Sequence, residues 1–203
     1  MITLIRSELY RMATIRSSWV SIVAFGTLAA SFGVLDSYWW AMFAGIGTFG
    51  ISALTVAQHF QHRTATLLYL ARPKRFPVLL AQVITTVAVC WGLAAVTGIA
   101  ARMNGGAGGV LTYRHTMMVI PIMAIFAAAT AAIVRRSAWL ILGFGIWFVV
   151  VEGLIGQLKW WLPFSAYLKA SGGDAFGLEL FIFWAVVALA IAVPMLARDL
   201  PAD

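Results

Sequence analysis

Charge is what this chain most lacks. Its 14 Lys and Arg and 7 Asp and Glu make up 10% of 203 residues, against roughly 25% in soluble domains. That is too little surface chemistry to keep a folded chain in water. A single cysteine, Cys90, excludes an intrachain disulfide and a zinc site built on a Cys pair. No GxxxxGK[ST] is present to cradle nucleotide phosphates, and no HExxH to hold zinc. No histidine stands in the middle of an apolar run, so hydroxyls such as Ser52 and Thr55 have no base for nucleophilic catalysis. No repeat of fixed period and no low-complexity tail is seen.

What is present is apolar. The composition is 63% hydrophobic with a mean hydropathy of +0.94. A spanning helix needs about 20 residues, so six would use about 120 and leave no room for a separate soluble catalytic domain. The net charge of +7 comes from basic residues spread over the ends of apolar runs, not gathered in one patch. That pattern sets membrane topology and argues against a nucleic-acid partner.

Six apolar segments lie near 17–35, 38–57, 78–101, 116–134, 138–156 and 178–197. Before them, residues 1–16 read as an amphipathic helix lying in the membrane interface. Ile2, Ile5, Leu9, Met12 and Ala13 share one side, and Ser7, Arg11 and Thr14 the other. The alternative is the n-region of a signal peptide, but the topology closes with the first run retained. With the N-terminus inside, the inner segments hold ten basic residues and the outer ones four: Arg102, Arg114, Lys159 and Lys169. Both termini are therefore expected in the cytoplasm. The fold class is an all-α integral membrane protein: one transmembrane domain over residues 1–203, with an inner loop at 58–77 and an outer segment at 157–177.

The connections differ in kind. Asp36-Ser37 is a minimal outer turn, and Arg135-Arg136 a tight inner one. The glycine-rich run 104–109 joins two spans, not a strand and a helix, so it reads as a flexible outer loop and not a phosphate cradle. The segment 157–177 holds Trp160, Trp161, Phe164 and Tyr167, which suits an interfacial aromatic belt. Bends at Pro163 and Gly172-Gly173 also permit short external helices that dip back into the membrane.

Few residues carry candidate chemistry. Glu152 is the one acid in a predicted span, about four residues from its outer end. A role in transport or gating stands beside a plain one, in which it snorkels or approaches Lys159. His59 and His62 are spaced i, i+3 but lack a third metal ligand, so solvating a helix end is the simpler reading. Pro121 and Pro194 are expected to bend their spans. Ala41-xxx-Gly45 and Gly26-xxx-Ala30 are small-xxx-small pairs that let helices approach closely.

The one thick polar island is His59–Pro77, HFQHRTATLLYLARPKRFP. Phe60, His62, Thr64, the leucines Leu67, Leu68 and Leu70, and Pro73-Lys74-Arg75 resemble the coupling-helix loop of type-2 ABC exporter permease subunits. His59 stands where that family has an acid, Gln61 where it has a basic residue, Arg63 where it has glycine and Gln82 where it has lysine. Leu162-Pro163-Phe164 matches the family's re-entrant turn between spans five and six. The resemblance implies a permease that is no enzyme itself and binds no cofactor. ATP and Mg would sit on a separate ATPase that docks on His59, Phe60, His62, Arg63, Thr64, Leu67, Leu68, Arg72, Pro73 and Arg75. It also implies a second permease subunit, identical or related, facing spans two and five. Trp39, Trp40, Glu152, Trp160, Trp161, Phe164 and Tyr167 would then lie near the path or outer gate. The apolar composition suggests an amphipathic or hydrophobic cargo, and the alanine-rich, arginine-over-lysine bias a bacterial plasma membrane. The island also reads as an ordinary solvated inner loop. An ATP-independent channel or an accessory and assembly subunit is the alternative function.

Overall fold

The computed structural model describes residues 2–61, 75–159 and 161–198. Helices account for nearly all of them, and no strand occurs among the described residues. The order is α1 (Ile2–Thr14), α2 (Arg16–Leu35), α3 (Ser37–Gln61), α4 (Arg75–Thr97), α5 (Ile99–Asn104), α6 (Gly106–Val134) and α7 (Ser137–Ile146). The last continues as a π-helical stretch, Trp147–Ile155, followed by α8 (Pro163–Ser171) and α9 (Ala175–Arg198). Six helical stretches are long and apolar enough to cross a membrane: Arg16–Leu35, Ser37–Gln58, Leu80–Thr97, Gly106–Val134, Ala138–Ile155 and Ala175–Met195. The chain is an all-α membrane protein, and spans one to six are these stretches in order.

The two shortest connections fold as their sequences lead one to expect. Asp36 alone separates α2 from α3, and its Oδ1 accepts the Tyr38 amide at 2.6 Å. At the other end Arg135 adopts φ 60°, closing α6 in a left-handed cap. Its guanidinium donates to the Met195 carbonyl at 3.3 Å, tying the turn to α9.

The glycine run corrects its sequence reading. It is no flexible loop: α5 and α6 meet at Gly105, and Gly106 starts α6 with φ +56°. A Cβ at Gly109 would stand 2.6 Å from the Ala101 carbonyl oxygen, so glycine here serves close backbone approach. Span four therefore begins ten residues before its expected start, and span three ends at Thr97. At 1.5 Å per residue α6 is about 43 Å long, more than the roughly 30 Å hydrocarbon thickness. Arg114 is exposed near the early end of α6, and the Arg102 guanidinium sits 5.7 Å from the Tyr113 ring.

Span two is the centre of the bundle. Over an 18-residue stretch of it 83% of residues are buried, against 11% in span five. It packs on α2 along one side and α6 along another. Small residues make this possible: Ala124, Ala127, Ala128, Ala131 and Ala132 of α6 are fully buried. Gly47 and Gly50 admit the Phe25 ring, and Gly26 admits Leu93. Hydroxyls in the apolar interior return their protons to the preceding turn, as Thr85 does to Ala81 at 2.9 Å and Thr86 to Gln82 at 3.0 Å. Pro121 and Pro194 both sit inside continuous helices.

α1 meets the bundle along one side only. Glu8 and Met12 are buried, whereas Leu9, Tyr10 and Ala13 are exposed. Arg11 pairs with Glu8 at 3.1 Å and donates to the Thr55 carbonyl at 3.3 Å. The polar pair anchors α1 to span two, and the outward Leu9 and Tyr10 are left for lipid.

Candidate functional site

The most unusual polar arrangement surrounds Glu152. It is fully buried, on the π-helical stretch of span five. Its Oε1 accepts Trp147 Nε1 at 3.1 Å and the Phe164 amide at 3.2 Å. Its Oε2 accepts the Ser165 amide at 2.6 Å and the Ser165 hydroxyl at 2.7 Å.

The sequence of α8 shows why a distant carboxylate is needed. Leu162 occupies the N-cap position and makes no side-chain cap, and Pro163 opens the helix without an amide to donate. The next two amides, Phe164 and Ser165, would be orphaned in a buried setting. Glu152 takes both. It neither snorkels nor meets Lys159, whose ammonium donates to Gln157 Oε1 at 3.3 Å instead.

α8 is held along its whole length. Phe164, Ser165, Ala166, Tyr167, Ala170 and Ser171 are all buried. The Tyr167 hydroxyl donates to the Ala41 carbonyl of span two at 2.8 Å. Its ring lies on Gly45, where an added Cβ would stand 2.6 Å from Tyr167 Cζ. The Ala41-xxx-Gly45 pair is thus a seat for a tyrosine as well as a helix contact. Burial pushes the Tyr167 phenol upward, which keeps it a donor. At the far end Gly173, at φ +94°, passes close to the His115 ring and turns the chain into α9.

Of the predicted gate residues, Glu152, Phe164 and Tyr167 meet in this assembly. Phe164 also packs on Phe148, their ring centroids 3.9 Å apart. Trp40 does not join them. It is fully buried against Tyr113, with centroids 5.4 Å apart, where Gly98 leaves room for both rings. Trp39 and Trp161 are largely exposed, as belt residues are. Trp160 lies outside the described residues, as do His62, Arg63, Thr64, Leu67, Leu68, Arg72 and Pro73. The side chains of His59, Phe60 and Arg75 lie outside them too. No group of three metal-ligating side chains occurs among the described residues.

Sequence reasoning missed Trp147 and Ser165 as partners of Glu152. A buried acid five residues after a tryptophan, followed by Leu-Pro-x-Ser without a capping residue, is the signal that could have found them. Of the two spans that the resemblance turns toward a partner, span five leaves most of its apolar side chains exposed and span two is mostly buried within the chain. No protein-family model matches the chain, and the comparison with curated proteins returns no match.

Proposed function

We propose that this chain is the membrane-spanning permease subunit of an ATP-driven exporter of the type-2 ABC kind, moving an amphipathic or hydrophobic cargo out of the cytoplasm. The observation that supports the reading most is the order of elements. A short amphipathic helix precedes six spans, and a short buried helix, α8, lies between spans five and six. That is the order the resemblance of the His59–Pro77 island implies. In this reading both termini are cytoplasmic in a bacterial plasma membrane. ATP and Mg bind to a partner ATPase, and the open face of span five meets lipid or a second permease, a copy or a related chain.

The test is purification in mild detergent of the subunit expressed with its genomic neighbours. A stoichiometric, active ATPase in the complex is the expected result. Changing Arg72 and Arg75 to Glu together should then release it. A clean preparation lacking an ATPase that is nonetheless expressed would overturn the reading in favour of an ATP-independent channel or an accessory subunit.

A further inference from the structure

Span five carries the one π-helical stretch among the described residues, and Glu152 lies within it. Such stretches are rare and are frequent at functional sites. Two contacts here span five residues: the Gly156 amide donates to the Val151 carbonyl at 2.8 Å, and Trp147 Nε1 to Glu152 Oε1 at 3.1 Å. In a π-helix residue i+5 comes round over residue i, whereas in an α-helix of 3.6 residues per turn it lies about 140° away. Rewinding this stretch as α-helix would turn Glu152 away from Trp147, and so from α8.

Little opposes that rewinding. Only 11% of span five is buried, so few contacts within the chain resist its turning. The consequence for α8 is large, because Leu162 supplies no cap of its own. Without Glu152, the Phe164 and Ser165 amides and the Ser165 hydroxyl lose their acceptor together. Tyr167 on Ala41 and Gly45 is then the main hold on span two.

We infer that the π-helical turn and Glu152 form a register-dependent latch on α8. With the turn π-helical, α8 is capped and Tyr167 is seated on span two. With the turn α-helical, the carboxylate withdraws and the first turn of α8 loosens, while the rest of α8 stays packed on α6 and α9. The latch stands apart from the exporter reading, since it needs no ATPase.

Cysteine accessibility tests it in native membrane vesicles. In a Cys90→Ala background, Ala166→Cys reports on α8 and Ala128→Cys on the core of α6, both positions being fully buried. Glu152→Ala should raise the maleimide labelling rate at Ala166→Cys by about tenfold or more, since three buried donors lose their partner. Labelling at Ala128→Cys should stay slow. Deleting Val149 takes out the extra residue, so the stretch can wind as α-helix with Glu152 four residues after Trp147 and still facing it. Labelling at Ala166→Cys should stay slow there, and adding Glu152→Ala should raise it as before. If the deletion chain does not reach the membrane, Trp147→Phe takes its place, with a rise of about threefold expected from one lost hydrogen bond. Continued protection of Ala166→Cys in Glu152→Ala would overturn the latch. A parallel rise at Ala128→Cys would overturn it too, by showing that Glu152 supports the whole fold. Fast labelling of Ala166→Cys in the Val149 deletion with Glu152 intact would overturn the dependence on π geometry.

Discussion

The Glu152 carboxylate accepts both the amide and the hydroxyl of Ser165, at 2.6 and 2.7 Å, across thirteen residues of chain. These bonds join the end of span five to the start of α8, and Tyr167 carries the connection on to span two. A helix that would otherwise present unpaired amides in an apolar setting is thereby anchored at one end by span five and in its middle by span two.

Removing parts of the cap should therefore destabilise in steps. Ser165→Ala keeps the amide bond and loses the hydroxyl, at about 1–2 kcal/mol. Glu152→Ala should cost more, about 1–3 kcal/mol for each buried donor left unpaired. The two should not add, because the hydroxyl has nothing to bond once the carboxylate is gone. Thermal unfolding midpoints of the purified protein in mild detergent, with the double variant included, measure this. Additive losses would show that Ser165 and Glu152 act independently.

The seat on span two predicts a size rule at Gly45. A methyl group there would collide with the Tyr167 ring, so Gly45→Ala should lose about 1–3 kcal/mol through overpacking. Shortening the ring with Tyr167→Leu should cost stability alone yet recover part of the loss when combined with Gly45→Ala. Equal losses with and without the tyrosine would mean that the ring does not occupy this place.

Cys90 is 1% exposed, with its sulfur 3.6 Å from Ser52 Oγ. A membrane-permeant maleimide should leave it unmodified in native vesicles and react with it fully once the protein is unfolded in SDS. Fast labelling of the folded protein would show that the contact between spans two and three opens.

Topology gives an independent check on orientation. Ten basic residues on one set of connections and four on the other predict that both termini face the cytoplasm. Fluorescent-protein fusions, which mature only in the cytoplasm, should light up at either terminus, and alkaline phosphatase fused at either should stay inactive. The opposite pattern would invert the molecule and place the His59–Pro77 island outside.

The spans and the two shortest turns were legible in the sequence because they rest on local chemistry. About 20 apolar residues in a row leave few alternatives to a spanning helix, and Asp36 and the Arg135-Arg136 pair sit where short turns must end such runs. The glycine run misled because glycine has two uses. Composition alone does not separate freedom of the backbone from the close approach that Gly105 and Gly109 provide between α5 and α6. Which side of α1 meets the bundle was left open by the sequence: Glu8, paired with the part-buried Arg11, lies there while apolar Leu9 faces outward. By itself, then, the sequence determined the six spans and the shortest links between them, since hydropathy and turn chemistry act over neighbouring residues. Only the tertiary structure decided that Glu152 caps α8, that Tyr167 rests on Gly45 and that Trp40 belongs to the core. Each of those depends on which helices stand side by side, and that is a matter of packing between residues far apart in the chain.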